Sequence, residues 1–226
     1  MPHSLIETED GSHSLFSEQY GVSYHSKYGA IQETQHVFIN AALRFKAVIQ
    51  KEISILEIGF GTGLNAYMTL LEAAKRDLLI KYTAIEAYPI SLQQATTLNY
   101  PSLLNKATTQ AEFLQMHAAD WATTLRITEQ FQFIKQQIKF EAIDYDHQFD
   151  IIYFDAFAPN AQPELWEAEV LANMYKALKE DGVLVTYCAK GVVKRTLKAV
   201  GFQIEALKGP PGKREMTRAI KSVIGQ

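Results

Sequence analysis

Short blocks of apolar residues alternate along the chain with segments in which apolar residues recur every three or four positions. The block at positions 53–58 is typical of a buried β-strand. The residues after it are spaced as in an amphipathic helix: Leu64, Tyr67, Met68 and Leu71. Because such alternation continues to the end of the chain, the pattern predicts an α/β fold with a mostly parallel sheet.

The pattern predicts seven strands in the main sheet, the seventh of them antiparallel. They are Ser54–Ile58, Ile80–Ile85, Phe131–Ile138, Phe149–Asp155, Val183–Tyr187, Phe202–Leu207 and Glu215–Ile220. Helices are expected between them, including one from Pro101 to about Leu125 that is broken near Ala118 and one over Pro163–Lys179.

The first 50 residues do not follow this alternation. They predict a short hairpin that turns at Gly21 and a helix from Val37 to Ile49, whose apolar face packs on the sheet. We therefore expect an N-terminal appendage over 1–50 and one structural unit over 51–226.

Three glycines on alternate positions follow the first predicted strand of the sheet. Gly59, Gly61 and Gly63 separate that strand from the helix that begins near Leu64. Glycine allows positive φ and lets a ligand approach the backbone, and the helix N-terminus behind the loop offers free N–H groups. This arrangement predicts a nucleotide-type pocket at the carboxyl end of the strand.

The spacing of these glycines decides between ligand classes. The dinucleotide fingerprint G-x-G-x-x-G is not met, because its third glycine would fall on Leu64 or on Ala66. The stretch from Glu57 to Asn65, with an acid two residues before the first glycine, resembles motif I of class I S-adenosylmethionine-dependent methyltransferases, which have a Rossmann-like fold. That resemblance implies S-adenosylmethionine as ligand, with Glu57 near its cationic end. It assigns Gly59, Phe60, Gly61, Gly63 and Asn65 to the same site.

Two further strand ends carry candidate ligand contacts. Glu86 ends the second strand, where an acidic residue holds the ribose hydroxyls of a nucleotide. The methyltransferase plan also implies an adenine contact after the third strand, where Gln136 and Gln137 stand. We assign that contact to Gln137.

The fourth strand delivers a carboxylate and an aromatic residue to the same edge of the sheet. Asp155 ends the strand and Phe157 follows two positions later, before Pro159. Trp166, at the start of the next helix, is expected to be a structural lid residue.

Composition narrows the class of protein. The chain is 47% hydrophobic and 21% charged, which suits a soluble domain, and it has no apolar run of 18 residues for a transmembrane helix. Its N-terminus does not resemble a signal peptide, so we expect a cytoplasmic protein. The single cysteine, Cys188, and the scattered histidines predict no metal site.

Charge is distributed unevenly along the chain. Positions 176–226 hold eleven Lys or Arg and four Asp or Glu, a net charge of +7, whereas the first 175 positions hold 11 and 21, a net charge of −10. A basic C-terminal quarter could bind a polyanion or could be a solvated helix face, and charge alone favours neither. The candidates for phosphate contacts are Lys190, Lys194, Arg195, Lys213, Arg214 and Arg218.

Four stretches together resemble one family, the tRNA 5-methylaminomethyl-2-thiouridine methyltransferases. They are Gly29–Phe38, Glu57–Asn65, Asp155–Pro159 with Pro163-x-x-Trp166, and Gly209–Met216. The resemblance runs from about Tyr20 to Ala219. It implies a bacterial tRNA-modifying enzyme that methylates the exocyclic amine of 5-aminomethyl-(2-thio)uridine at the wobble position, with 51–226 as its methyltransferase domain.

The same resemblance implies roles for individual residues. Asp155 would orient the amine, Phe157 would stack on the uracil, and Pro159 would line the substrate site. Glu33 would contact the methionine end of the cofactor, contact the substrate or cap the helix, and these three roles stay open. In many bacteria this activity is fused to an FAD-dependent oxidase. We expect neither FAD nor that oxidase half here, so other enzymes would supply the aminomethyl precursor.

Two other functions are considered. A small-molecule amine methyltransferase or an aminopropyltransferase would use the same loop, Glu86 and Asp155. A non-catalytic tRNA-binding protein would be expected to have lost the glycines or Asp155, and this chain keeps both. A monomer is expected, because the chain is long enough for its own core.

Overall fold

The computed structural model describes residues 3–104 and 110–222. Within these residues the chain forms one sheet of eight strands and a smaller sheet of three. The small sheet contains β1 (His3–Glu7), β2 (His13–Ser17) and β3 (Val22–Ser23). The main sheet contains β4 (Glu52–Ile58), β5 (Leu79–Ile85), β6 (Leu125–Thr128), β7 (Phe131–Gln136), β8 (Phe149–Phe154), β9 (Leu178–Thr186), β10 (Gln203–Lys208) and β11 (Glu215–Ile220).

Helices cover both faces of the main sheet. They are α1 (Ala30–Thr34), α2 (Arg44–Lys46), α3 (Leu64–Arg76), α4 (Leu92–Thr96), α5 (Tyr100–Leu104), α6 (Gln110–Ala118), α7 (Ala168–Ala177) and α8 (Gly191–Val200). A π-helical stretch, Gln35–Leu43, joins α1 to α2, and 3₁₀ turns occur at Phe140–Ala142 and Pro163–Trp166.

The main sheet has the order β10-β11-β9-β8-β4-β5-β7-β6. β9, β8, β4, β5 and β7 run parallel, and β11 lies antiparallel between β10 and β9, as predicted. β4 lies at the centre and is apolar on both faces. Ile53 and Ile55 pack in the cluster under α3, and Leu56 and Ile58 pack in the cluster under α7 and α8. The predicted α/β fold is confirmed.

The predicted break near Ala118 is where α6 ends, but the predicted helical continuation to about Leu125 is wrong, and the predicted strand count is one short. The helix ends at Ala118, and Leu125–Thr128 forms β6, which pairs antiparallel with β7 at the edge of the sheet. β6 has only four residues and is half-buried on one face, so its alternation is too short to distinguish from a helix end. Predictions that fall on residues 1–2, 105–109 and 223–226 lie outside the described residues.

The N-terminal segment differs from its prediction in two ways. The hairpin at Gly21 is present, but β1 adds a third strand to it. The helix begins at Ala30 rather than Val37, and it ends at Lys46, so that Val48 and Ile49 are exposed. Within it, Gln35–Leu43 is π-helical rather than α-helical.

This segment shares its core with the main sheet. Leu15 and Phe38 belong to the same buried cluster as Ile53 and Tyr153, and the rings of Phe38 and Tyr153 are 5.1 Å apart. The division at residue 50 stays a prediction. The predicted helix over 163–179 is also shorter than expected, because β9 already begins at Leu178.

Candidate active site

Three neighbouring strands of the main sheet end at the same level. Ile58 of β4 pairs with Ile85 of β5 and with Phe154 of β8. The next residue of each strand is therefore brought to one place at the sheet edge. These residues are Gly59, Glu86 and Asp155. The sequence predicted all three, and they lie where parallel α/β sheets bind their ligands.

The glycine loop fits against the end of β8 so closely that a side chain is excluded. Gly59 has φ +90°, and a Cβ there would lie 2.8 Å from the backbone oxygen of Asp155. Gly61 and Gly63 also have positive φ. Phe60, between them, is buried against Phe133, with ring centroids 5.7 Å apart. The glycines thus hold the backbone of this loop close to Asp155.

The loop forms one wall of a cavity that is open to solvent. The opposite walls come from the ends of β5 and β8, from the 3₁₀ turn at Phe140–Ala142 and from the N-terminal segment. The predicted residues that line it are Gly59, Phe60, Gly61, Asn65, Glu86, Asp155 and Phe157.

Glu86 presents its carboxylate to the cavity. Its two oxygens accept hydrogen bonds from the backbone N–H groups of Gly61 (2.9 Å) and Tyr88 (2.8 Å). Burial raises the pKa of Glu86, and these backbone hydrogen bonds oppose that rise. The glycine loop therefore fixes the direction of the carboxylate, and each oxygen keeps a second lone pair for a ligand hydroxyl.

Asn65, the second residue of α3, connects two carboxylates. Its Nδ2 donates to Glu57 Oε1 (3.0 Å) and to Asp155 Oδ2 (2.8 Å). Its Oδ1 accepts from the Thr34 hydroxyl (2.9 Å), which fixes the orientation of the amide. One side chain thus uses both amide hydrogens on the two acids.

Glu57 lies beneath this cavity rather than in its wall. It is fully buried, and its Oε2 has no hydrogen-bond partner among the described residues. Burial, with a smaller contribution from Asp155, raises the pKa of Glu57 well above its usual range. The predicted contact between Glu57 and a ligand would therefore have to act through Asn65.

The protonation of Asp155 is shifted toward neutral pH. Burial is the largest cause and Glu33 adds to it, whereas Asn65 and Lys213 oppose them; the pKa of Asp155 rises from 3.8 to about 7. A carboxyl group with such a pKa, at the wall of a cavity, is typical of a functional site.

Phe157 lies in an aromatic group that the N-terminal segment completes. Its ring centroid is 5.1 Å from that of Tyr20 and 5.1 Å from that of Tyr24. Its carbonyl accepts a hydrogen bond of 2.8 Å from Trp166 Nε1. The lid role of Trp166 stays a prediction. Phe157 is partly exposed to the cavity rather than buried in the core.

The residue predicted to contact adenine is not in the cavity wall. Gln137 directly follows β7, but it is exposed and is not among the residues that line the cavity. Lys139, Phe140 and Glu141 line the cavity instead. Pro159 is partly buried near its rim but is not among the lining residues.

Three of the predicted phosphate contacts are engaged within the protein. Lys213 forms an ion pair with the buried Glu33, at 2.6 Å. Lys194 pairs with Glu215 at 2.8 Å. Arg218 pairs with Glu205 and stacks on Phe45. By contrast, Lys190, Arg195 and Arg214 are exposed, and Lys190 donates to Asn160 in the loop that follows Phe157.

The cavity also contains residues that the sequence did not reveal. They come from the N-terminal segment: His3, Tyr20, Tyr24 and His25. Tyr24 packs on Gly61, and burial lowers the pKa of His25 to about 4, so this imidazole is neutral at pH 7. The signal in the sequence was the run of aromatic residues before Gly29, with Phe16, Tyr20, Tyr24 and Tyr28 spaced four positions apart.

The described part of the chain was predicted to lack both a metal site and a membrane-spanning helix. In residues 3–104 and 110–222, His, Cys, Asp and Glu side chains nowhere form a group of three or more suited to a metal ion. Within the same ranges, every helix is too short or too polar to cross a bilayer.

Residues 94–222 match a family model described as S-adenosyl-L-methionine-dependent methyltransferase. The chain is 30% identical over 222 residues to the tRNA 5-methylaminomethyl-2-thiouridine biosynthesis bifunctional protein MnmC of Marinomonas sp.. It is 29% identical over 233 residues to the protein of that name from Pseudomonas fluorescens. These alignments cover 92% and 96% of this chain but 32% and 35% of the relatives, so the chain spans about a third of their length.

Solved structures show the same fold. The crystal structure of MNMC2 from Aquifex aeolicus has a TM-score of 0.79 at 23% identity, over 96% of this chain and 69% of that one. Spermidine synthase from Thermotoga maritima has a TM-score of 0.53 at 13% identity, over 98% and 72% of the two chains.

Proposed function

The chain belongs to the S-adenosyl-L-methionine-dependent methyltransferases, and we propose that it methylates the exocyclic amine of 5-aminomethyl-(2-thio)uridine at the wobble position of tRNA. The observation that carries this proposal is the placement of Asp155 and Phe157 beside the glycine loop at one cavity. A carboxylate that can orient an amine thus lies two residues from an aromatic ring that can hold a base.

The cavity residues fit the methyl donor. The Glu86 carboxylate, held by the N–H groups of Gly61 and Tyr88, is suited to a ribose diol. The turn at Phe140 offers an apolar surface for adenine. The backbone of Gly59 and Gly61 would hold the amino-acid end. When bound there, S-adenosylmethionine supplies an electrophilic methyl group on a sulfonium; this chemistry needs neither FAD nor a metal.

Asp155 would aim the amine rather than deprotonate it. A primary alkylamine has a pKa of roughly 10, as for lysine, whereas the pKa of Asp155 is about 7. A full proton transfer from the ammonium to Asp155 is therefore unfavourable. Because Asn65 occupies Oδ2, the other oxygen is available to accept an N–H of the neutral amine and to direct its lone pair.

Phe157 would hold the uracil. Specific recognition of single-stranded RNA commonly uses aromatic side chains that stack on unstacked bases. Tyr20 and Tyr24 already pack on Phe157, so these rings would have to separate when a base enters. The wobble base lies in the anticodon loop, where such extrusion is least costly.

The exposed cations near the cavity would contact the tRNA backbone. Lys190 directly precedes α8 beside the loop that carries Phe157, Arg195 lies in the second turn of that helix, and Arg214 is adjacent to Lys213. Phosphate contacts of this kind position an RNA without reading its sequence. The names of the MnmC relatives, which specify tRNA 5-methylaminomethyl-2-thiouridine biosynthesis, support this substrate.

The proposal covers methyl transfer alone. The aminomethyl group would be made by other enzymes of tRNA modification, in the bacterial cytoplasm, and the chain would act as a monomer. The relatives are described as bifunctional, and their remaining two thirds are not matched by this chain.

The test is a methyl-transfer assay with labelled S-adenosylmethionine. One substrate is tRNA that carries 5-aminomethyl-2-thiouridine and the control is the same tRNA without the aminomethyl group, with nucleoside mass analysis to locate the label. Label in the first alone, as 5-methylaminomethyl-2-thiouridine, is the expected result. If calorimetry shows cofactor binding but neither tRNA is labelled, the proposed substrate is wrong and small-molecule amines become the acceptors to assay.

A further inference from the structure

Glu33 and Lys213 form an ion pair that joins the two ends of the chain at the active site. Lys213 Nζ lies 2.6 Å from Glu33 Oε1, and Glu33 Oε2 accepts the backbone N–H of Ser26 at 2.9 Å. The Glu33 side chain is 8% exposed and that of Lys213 is 32% exposed. Lys213 Nζ also lies 3.9 Å from the ring centroid of Tyr187, a cation–π contact.

Two short routes lead from this pair to Asp155. On one side, Thr34, which follows Glu33 in α1, donates to Asn65, and Asn65 donates to Asp155. On the other side, the Tyr187 ring beneath Lys213 carries a hydroxyl that donates to the carbonyl of Ala156, at 2.8 Å. Ala156 is the residue between Asp155 and Phe157. Both Glu33 and Lys213 are thus connected to the short loop that carries Asp155 and Phe157.

We propose that the Glu33–Lys213 ion pair is a positioning element for Asp155, which holds its loop and balances the charge around its carboxylate, and that Lys213 is not a phosphate contact. This inference rests on the proposed function, because it assigns Asp155 to the orientation of the amine. It extends that function to two residues that do not line the cavity.

The charges around Asp155 give the pair a measurable effect. The titratable groups that face it from the surrounding elements are Glu33, Glu57, Tyr82, Tyr187 and Lys213. Glu33 raises the pKa of Asp155 and Lys213 lowers it. Loss of Glu33 alone should therefore lower the pKa of Asp155, and loss of Lys213 alone should raise it. Loss of both partners leaves the local charge balanced.

Arg214 is a matched control, because it is the neighbouring cation and is exposed. A lysine that pairs with a buried carboxylate would have to leave an unpaired charge behind in order to contact a phosphate. An exposed arginine bears no such cost. Lys213 and Arg214 should therefore respond differently to tRNA and to salt.

The experiment measures the pH dependence of kcat/KM for methyl transfer to aminomethylated tRNA. Glu33→Gln should move the Asp155 inflection to lower pH and Lys213→Met should move it to higher pH, each by roughly 0.5 to 1.5 units. The double variant should return close to the wild type, and Lys213→Arg, which keeps the charge, should leave the inflection in place. Shifts in the same direction, or none, would overturn the proposal.

A second readout does not depend on activity. The pKa of the Asp155 carboxyl can be followed by ¹³C NMR in protein with labelled aspartate, with Asp155→Asn to assign the signal. The same opposite shifts are expected in folded variants. Affinity for tRNA should fall in Arg214→Gln and not in Lys213→Met; the reverse result would make Lys213 a phosphate contact and refute the inference.

The two proposals fail separately. Inactivity of the wild-type protein toward aminomethylated tRNA would refute the proposed function, whatever the NMR titration shows. An active wild type whose Asp155 signal is the same in Glu33→Gln and Lys213→Met would refute the positioning role alone.

Discussion

Asn65 hydrogen-bonds Asp155 across 90 positions of sequence, with Nδ2 and Oδ2 2.8 Å apart. The same nitrogen donates to Glu57, so a single amide links the acid of the glycine motif to the acid at the end of β8. The two acid side chains are thereby held in one arrangement. Glu57 therefore helps to position Asp155 through Asn65, in addition to any effect that it has on a ligand.

Asn65→Ala should lower kcat by about 10- to 100-fold, because misplacement of the carboxylate that orients the amine has effects of this size. Thr34→Val removes only the bond that fixes the Asn65 amide, so its effect should be smaller. Steady-state kinetics with both substrates varied would measure this. Wild-type kcat in Asn65→Ala would show that other contacts aim Asp155.

Asp155→Asn should abolish the rise in kcat/KM between about pH 6 and pH 8. The pKa of Asp155 is raised to about 7, so the carboxylate that accepts the amine N–H is formed only as pH rises through that value. The assay compares log kcat/KM against pH for the two proteins. An unchanged inflection near pH 7 in the variant would assign it to another group.

The same substitution should stabilise the protein without ligand at pH 8. Because the pKa of Asp155 is higher in the folded chain than its ordinary 3.8, the protonated form favours folding, and this contribution is lost as pH rises through 7. Asp155→Asn should therefore raise Tm at pH 8 by a few degrees, roughly 2–8 °C for 1–2 kcal/mol. The gain should disappear near pH 4. A gain that is independent of pH would contradict this origin.

Local pattern and parallel topology together sufficed to predict the centre of the site. The residues after Ile58, Ile85 and Phe154 meet because parallel strands with level ends bring consecutive positions to one edge. The glycine loop is likewise a local strand–turn–helix signal. The motif residues Gly59 and Asp155 could therefore be placed without knowledge of the tertiary structure.

Contacts between distant parts of the chain could not be predicted in this way. Tyr24 reaches Phe157 only because the N-terminal sheet folds over the cavity. Lys213 looked like a free cation because Glu33, its partner, is 180 positions away. Gln137 was assigned to the adenine contact because it stands at the end of the third predicted strand; it directly follows β7 but does not line the cavity, and that contact stays a prediction.

Glu86→Gln should weaken the binding of S-adenosylmethionine about 10- to 100-fold, since hydrogen bonds to charged groups contribute roughly 1.5–3 kcal/mol. A glutamine also cannot accept both the Gly61 and the Tyr88 N–H through two oxygens. Isothermal titration calorimetry measures the effect. Glu52→Gln, an exposed acid at the opposite end of β4, is the control. Equal affinity in the Glu86 and Glu52 variants would place the ribose elsewhere.

Gly63→Ala should lower the stability of the protein without ligand by about 2 kcal/mol. Gly63 has φ +75°, and a Cβ there would lie 2.7 Å from His117 Nε2. Thermal denaturation should show a Tm lower by several degrees. Gly191→Ala is the control, because its Cβ meets only the mobile end of Arg195, at 3.2 Å, and it lies in the first turn of α8. Equal Tm values for the two variants would show that the loop relaxes around the new methyl group.

Arg195→Gln and Arg214→Gln should each weaken tRNA binding without a change in the affinity for S-adenosylmethionine. Both side chains are exposed, so their substitution leaves no buried partner without its counter-charge. If each contacts one phosphate, the slope of log Kobs against log salt should fall by about 1 per substitution. Filter binding of tRNA at several salt concentrations measures the slope. Lys75→Gln, at the C-terminal end of α3 and away from the cavity, should leave it unchanged. A slope that falls equally in all three variants would mean that tRNA responds to net charge and not to this surface.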